Sequence, residues 1–416
     1  MASSVERIIC IRCVNLHQFD ALAHKRLHDL CPVIRPEILE TARRELSARA
    51  SVASWPLHWG RYGLNRTEQD RLAHEDKFRE KWPSLVGDAT HAFPPAANAE
   101  QASSEATAVW KASHMIPEAA QRILDLTAGS GIDTWGFEQC GAKVDCVEPN
   151  PYLVELLRWN GRETGRSVHE TKAEHFSPLG VTYDAVYVDP SRRETSGTRI
   201  DFSDLGEPNP LEHLETWLAW APTVLLKLSP MVDRRAVQKW FPNADLVVYL
   251  SRKREVKELL VRIPRVPSAA ATQLLAVDTD PFGTETYRIP ASDVRLPSAP
   301  EVLGFIHDPD PALRAAGAGD SWAHASGFEA IHPGMSLYTS RSHSAAPGGR
   351  HFAVESVHNH IPKDLKSASV VTKNFPEKAE TLRKNYGIRE DSERFLFALQ
   401  RGTGGAKSYI VARRIH

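Results

Sequence analysis

The sequence predicts an α/β protein: a mainly parallel sheet flanked by helices, with a helical N-terminal region before it and small α+β domains after it. Two observations predict this. From Gln121 to Ile263, short apolar runs of strand length alternate with segments of helical period, the pattern of βαβ units. A glycine-rich turn, Ala128-Gly-Ser-Gly131, also separates the first apolar run from the helix that follows it. The composition agrees: 416 residues, 42% hydrophobic and 25% charged, give ample chain for a core and no sign of a disordered or fibrous protein.

The elements follow in chain order. Pro36–Arg49 opens with proline at a first-turn position and sets Ile38, Leu39, Ala42 and Leu46 near one face, so a helix is expected. Arg66–Trp82 is charged and helix-compatible. Pro83–Asn98, with Pro94-Pro95, reads as a connection, and Glu100–His114 as a further helix. Ile123–Leu126 is a buried-type strand, and Asp133–Cys140 the helix after the glycine turn. Strand Lys143–Glu148 and helix Pro151–Thr164 come next, then strands Tyr183–Asp189, Thr223–Leu228 and Leu246–Leu250. Val256–Ile263 is expected to return as a hairpin across Ser251–Glu255, adding an antiparallel strand.

Between Pro264 and Pro333 nine prolines fall in 70 residues, which predicts short strands and turns instead of long helices. The last part places strands at His351–Val357, Ser369–Lys373, Phe395–Leu399 and Ser408–Ala412 around a helix at Glu377–Tyr386. From Arg350 onward 13 Lys/Arg face 7 Asp/Glu, a net charge of about +6 in a chain that is balanced overall at 51 to 52. The expected divisions are therefore a helical region over 1–99, an α/β domain over 100–265, a proline-rich small domain over 266–345 with a ferredoxin-like fold as its candidate, and a basic domain over 346–416.

Several classes are set aside. The apolar run Trp217–Val232 is broken by Pro222, Lys227 and Pro230, so no membrane span is expected. The first twenty residues lack the apolar core and cleavage pattern of a secretory signal. Five cysteines, an odd number, suggest no disulfide framework and a reducing, cytoplasmic compartment. Cys10-x-x-Cys13 with His17, His24, His28 and Cys31 lacks a second paired spacing, so no metal is expected.

The glycine turn is the strongest local signal. A dinucleotide fingerprint wants a third glycine where Thr134 stands. The strand before the turn ends in Asp125, which would repel a pyrophosphate and attract an ammonium or a sulfonium. Twenty-three residues later the next strand ends in Glu148, at a spacing suited to a ribose diol. Glu174, after a third strand-like piece, is expected beside an adenine edge. Each carboxylate alone reads as a solvated strand end. Three in succession beside a glycine turn read as a binding crevice, which open α/β sheets place at those ends.

With these residues the sequence resembles class I S-adenosylmethionine-dependent methyltransferases, and more closely the bacterial group of them with a C-terminal THUMP-like domain. The residues that carry the resemblance are Gln101–Ala108 with Lys111, Asp125–Asp133, Val188–Arg193, Lys227–Met231, Leu337–Ser340 and Asn374–Pro376. It covers about Glu100 to the end of the chain. It implies a Rossmann-like seven-stranded methyltransferase sheet, S-adenosylmethionine as cofactor, and RNA as partner. It also implies that Asp125, Thr127, Gly129, Gly131 and Asp133 belong to the cofactor loop and Glu148 to the ribose contact. Thr107 and Lys111 are expected to close over the methionine end of the cofactor.

Asp189-Pro190-Ser191-Arg192 follows an apolar strand and is the expected catalytic segment, with Asp189, Pro190 and Arg192 as its acting residues. Methyltransferases of exocyclic base nitrogens are similar here, with Asp/Asn-Pro-Pro-aromatic. Ser191 and Arg192 depart from that pattern, although a guanidinium can also stack on a base or hold phosphate. Methylation at pyrimidine carbon-5 needs a nucleophilic cysteine, and Cys140 and Cys146 read as structural. The expected function is methyl transfer to a base of tRNA or rRNA. The rivals are a methyltransferase of a small molecule or a protein, and an RNA-binding protein that keeps the cofactor fold without turnover.

Overall fold

The structure, a computed structural model, describes residues 34–49, 59–88, 90–191, 205–400 and 405–415. The chain divides into two compact units, one of residues 1–112 and 120–179 and the other of residues 113–119 and 180–416. The Cys10–Cys31 cluster and Arg192 lie outside the described residues.

In the first unit, α1 (Pro36–Arg49) and α2 (Arg66–Lys81) precede the sheet. Asn65 starts α2 through a capping box: its side chain accepts from the Glu68 amide, and Glu68 reaches back to the Asn65 amide. Glu68 is fully buried, and Arg35 pairs with its carboxylate at 2.5 Å. The expected connection after α2 contains a short helix, α3 (Pro83–Gly87). The rings of Phe78, Trp82 and Phe93 stack there with centroids 4.7–5.8 Å apart.

The helix expected over Glu100–His114 is two helices, α4 (Ala96–Gln101) and α5 (Glu105–His114). Ser103 and Ser104 cause the break, because short hydroxyl side chains compete for backbone groups. The Ser104 hydroxyl accepts from the Thr107 amide at 3.2 Å, while the Ser104 amide donates to the Thr107 hydroxyl at 3.1 Å.

Then follow β1 (Arg122–Asp125), α6 (Ile132–Gln139), β2 (Lys143–Val147), α7 (Pro151–Asn160) and β3 (Ser167–His169), with the strands parallel in the order β3-β2-β1. Asn150 caps α7 and Pro151 fills its first position. The helix stops at Asn160 and not at Thr164, because Gly161 takes the C-terminal cap. A Cβ at Gly161 would lie 2.6 Å from Arg166, whose side chain folds over the helix end.

The second unit contributes β4 (Ala185–Val188), α8 (Pro210–Trp220), β5 (Thr223–Leu228), α9 (Arg234–Trp240), β6 (Leu246–Arg252) and β7 (Glu255–Pro264). The strand order is β4-β5-β7-β6, with β7 antiparallel to both neighbours. Within this unit the order β4-β5-β7-β6, with β7 antiparallel, is that of the later strands of a Rossmann-like sheet. The β6–β7 turn is tighter than expected: only Lys253 and Arg254 separate the strands.

Residues 266–345 do not form a sheet of their own. Strands β8 (Gln273–Thr279) and β9 (Glu285–Pro290) extend the first sheet, β8 running parallel to β6. Strand β10 (Phe305–Pro309) instead pairs in a second sheet, after which come α10 (Pro311–Ala316), α11 (Gly319–Ala325), β11 (Glu329–Ala330) and β12 (Tyr338–Ser340). The basic tail adds β13 (Gly349–His358), β14 (Ser369–Lys373), α12 (Ala379–Asn385), β15 (Arg394–Gln400) and β16 (Lys407–Ile415). The second sheet runs β11-β12-β10-β13-β16-β15-β14, and only β14–β15 is parallel. Phe352, Phe395, Phe397, Ile306 and Ile410 are in its core. Composition alone drew the division at 345, whereas the register places β10 beside β13.

No described helix is long and apolar enough to cross a membrane, and the described residues include no group of three His, Cys, Asp or Glu placed to hold a metal.

One ion pair anchors the end of α6. Arg166 grips Glu138 through two hydrogen bonds of 2.6 and 2.9 Å, with only 3% and 8% of the side chains exposed. Removing one partner of such a pair strands a buried charge, which costs about 3–5 kcal/mol. Arg166→Met should therefore lose that much in denaturant unfolding. Adding Glu138→Leu should recover part of the loss, and purely additive losses would contradict a coupled pair.

Candidate active site

The candidate site in the first unit is built on the loop between β1 and α6. Asp125, the last residue of β1, is fully buried. Its carboxylate accepts from the Thr134 hydroxyl at 2.7 Å and from the Thr127 amide at 3.1 Å. The residue that breaks the dinucleotide fingerprint is thus the partner that pins Asp125 to α6. Two hydrogen bonds keep the charge satisfied inside the protein, where its field is poorly screened.

Glu148 immediately follows β2 and is buried to 7% exposure. It accepts from the Gly129 amide at 2.9 Å and from the Asn150 amide at 2.8 Å. Burial raises its pKa above the ordinary glutamate value, and the Asn150 and Gly129 amides offset only part of that. The two strand-end carboxylates therefore hold opposite sides of one glycine loop. Gly129 and Gly131 both have positive φ, 52° and 79°. A Cβ at Gly131 would sit 2.5 Å from the Leu157 side chain, so glycine is required there for space as well as conformation.

Asp133, in the first turn of α6, faces the pre-strand helix. Lys111 on α5 is fully buried and pairs with Asp133 at 2.8 Å. Ser103 completes a triangle, accepting from Lys111 at 2.8 Å and donating to Asp133 at 2.9 Å. Gly136 lets α5 and α6 approach: a Cβ there would lie 2.7 Å from the Ala108 carbonyl. Ser104 caps α5 by accepting from the Thr107 amide, and the Thr107 hydroxyl accepts from the Ser104 amide in return. The expected residues thus fall into separate bonded groups: Asp125 with Thr127 and Thr134, Glu148 with Gly129, Lys111 with Asp133, and Thr107 with Ser104. Glu174 stands apart, exposed on the turn Ala173–His175, with no hydrogen bond or ion pair to the loop among the described residues. Sequence reasoning missed Thr134 as a partner of Asp125. The available signal was a hydroxyl in the first helical turn after a buried strand-end carboxylate.

In the second unit Asp189 follows β4 and pairs with Lys227 of β5 at 2.5 Å. Pro190 is buried. Ser191 forms an isolated bridge with Glu207, exchanging two backbone hydrogen bonds of 2.9 Å. Gly206 makes room for it, because a Cβ there would lie 2.6 Å from the Ser191 carbonyl. Cys146 is fully buried and bonded to Thr134 at 3.4 Å, and burial pushes its thiol far up. A nucleophilic cysteine must ionise, so Cys146 is unsuited to carbon-5 chemistry.

Residues 349–414 match the family model described as THUMP domain-like. No curated protein matches the chain. A crystal structure from Porphyromonas gingivalis W83, described as a candidate methyltransferase, is 24% identical, covers 91% of this chain and 98% of its own, and has a TM-score of 0.72. It shows the same fold. A candidate RNA methyltransferase from Pyrococcus horikoshii is 19% identical, covers 42% of this chain and 88% of its own, and has a TM-score of 0.30. The tRNA (uracil-54, C5)-methyltransferase of Pyrococcus abyssi, in complex with S-adenosyl-L-homocysteine, is 18% identical, covers 38% of each chain and has a TM-score of 0.29. These two overlaps are too small to support an argument about this chain.

The two loop glycines should respond differently to alanine. A Cβ at Gly129 comes no closer than 3.8 Å to a neighbour, so Gly129→Ala bears only the left-handed backbone cost of about 1–2 kcal/mol. Gly131→Ala adds the Leu157 clash and should lose about 2–4 kcal/mol in denaturant unfolding. Equal losses would contradict a Leu157 side chain packed against Gly131.

Proposed function

We propose that this protein transfers a methyl group from S-adenosylmethionine to a base in RNA, in the cytoplasm. The observation that carries the reading is the glycine loop held between the buried carboxylates of Asp125 and Glu148. Its negative charge suits a cationic donor and opposes a pyrophosphate. The cradle at Gly129 and Gly131, closed to any Cβ at the second, fits close approach of an adenosyl compound to the backbone. When bound, that donor supplies an activated methyl group on a sulfonium.

The chain's own residues then have limited tasks. Asp125 fixes the loop through Thr134 and adds its charge, and Glu148 accepts from the ribose hydroxyls. Lys111 and Ser103 hold Asp133, and with it the start of α6. Asp189 orients the acceptor amine or takes its proton, with Lys227 fixing the carboxylate in one position. Arg192 engages the RNA by stacking or phosphate pairing. Alignment of acceptor and donor supplies most of the acceleration, since the donor is already activated. Support for RNA comes from the THUMP domain-like match over 349–414 and from the tail's net charge of about +6.

A second reading has its own observation. The Lys227 ammonium already occupies one Asp189 oxygen, as it would in a protein that binds RNA without turnover.

The test is transfer of labelled methyl groups from S-adenosylmethionine into cell extract, with ribonuclease and protease arms. Ribonuclease-sensitive label supports the proposal, protease-sensitive label means a protein substrate, and label resistant to both means a small molecule. Asp189→Ala should abolish transfer while S-adenosylmethionine still binds within a few-fold. Near-normal turnover in that variant would make the carboxylate a local cap and remove it from the chemistry.

A further inference from the structure

The second unit gathers an excess of positive charge around one carboxylate. Asp308, at the end of β10, is buried to 3% side-chain exposure. Arg350 from β13 lies 2.8 Å from it, Lys373 from β14 2.9 Å, Arg314 from α10 3.2 Å and Arg254 from the β6–β7 turn 3.9 Å. Arg254 also pairs with Asp310. Four cations therefore share two carboxylates, leaving two positive charges uncompensated within the cluster. The cationic side chains remain 14–34% exposed, so an incoming anion can reach them.

Two further features mark the cluster as more than a structural hub. Burial and the neighbouring Arg350 and Arg314 charges lower the Arg254 guanidinium to about 10. Lys373 is lowered as well, by burial and by Arg314 and Arg350 against the pull of Asp308. Crowded cations of this kind gain when an anion arrives. The Arg350 Nε is buried with no hydrogen-bond partner among the described residues, while its guanidinium lies 5.4–5.6 Å from the Phe395 and Phe352 ring centres. Lys253 and Arg254 both adopt positive φ, 53° and 61°, as a two-residue hairpin turn between β6 and β7 requires, and this turn holds Arg254 in place.

We propose that Arg254, Arg314, Arg350 and Lys373, assembled on Asp308, form a seat for the phosphodiester backbone of RNA. The proposal rests on the RNA reading above and deepens it. The matched segment 349–414 contains only Arg350 and Lys373. Arg254 comes from the catalytic sheet and Arg314 from the proline-rich stretch, so backbone contact is not confined to the basic tail. Asp310 tempers the site by neutralising part of Arg254.

The test uses the full chain and bulk tRNA, with binding measured over a salt series. Arg254→Asn removes the charge with a residue that tolerates positive φ, and Arg314→Gln removes a second charge. Each should weaken binding about 3- to 10-fold at low salt and flatten the salt dependence, as expected for one lost phosphate contact. Asp310→Asn should act in the opposite direction, tightening binding about 2- to 5-fold by unmasking Arg254. A purely structural ion-pair hub would lower the melting temperature in all three variants and leave affinity unchanged, which would overturn the proposal, as would a gain in Asp310→Asn without the losses in Arg254→Asn and Arg314→Gln. If one variant fails to fold, the other two decide. Wild-type protein that binds no tRNA would instead refute the RNA reading itself, and the seat with it.

Discussion

The structure of the candidate site depends on how a turn of small residues between β1 and α6 is held open. A loop with two glycines at positive φ has many conformations in isolation, and one must be selected before a ligand arrives. Asp125 and Glu148 make that selection from two neighbouring parallel strands. Asp125 ties the loop to α6 through the Thr134 hydroxyl, and Glu148 takes the Gly129 amide directly. Because both carboxylates are buried, the hydrogen bonds that hold them act in a medium of low dielectric. The same groups thus supply rigidity and negative potential, and the two properties cannot be separated by mutation without a residue that keeps one of them.

The surrounding packing serves that loop. The Lys111–Ser103–Asp133 triangle joins α5 to the start of α6, and Gly136 allows the two helices to touch through the Ala108 carbonyl. Leu157 from α7 fills the space that a side chain at Gly131 would need. At the far end of α6, Arg166 and Glu138 lock the helix to the segment that leads into β3. In the second unit the Lys227–Asp189 pair fixes a strand-end carboxylate in a similar way, by a neighbour on the adjacent parallel strand.

Much of this was legible from residue order. The β-strand periods, the helix start at Pro151 and the positions of Asp125, Glu148 and both glycines follow from local chemistry, and local chemistry is what a sequence states directly. Long-range choices were not legible. Thr134 reads as a missing glycine until Asp125 is known to lie beside it. The division of 266–345 between two sheets depends on register, and prolines report only where a strand must end. Arg252-Lys-Arg254 reads as a basic hairpin, solvated or extending a phosphate-binding surface, while the partners of Arg254, Asp308 and Asp310, lie more than fifty positions away and are not legible. The break at Ser103-Ser104 was missed for a different reason: two adjacent hydroxyls compete with a helix only when a partner such as Thr107 lies at the right offset.

On the proposed function, the loop held by buried carboxylates receives a cationic adenosyl donor. Calorimetric titration of the wild type and of Glu148→Gln with S-adenosylmethionine and with NAD, over a range of pH, tests it most directly. Burial raises the Glu148 pKa in the free protein, and ribose hydroxyls favour its ionised form. Affinity for S-adenosylmethionine should therefore be full where Glu148 is ionised and fall as pH drops through that raised value. Glu148→Gln should bind more weakly and with a flatter pH dependence, and NAD should not bind. Absence of S-adenosylmethionine binding at millimolar concentration, or equal binding of NAD, would contradict the account.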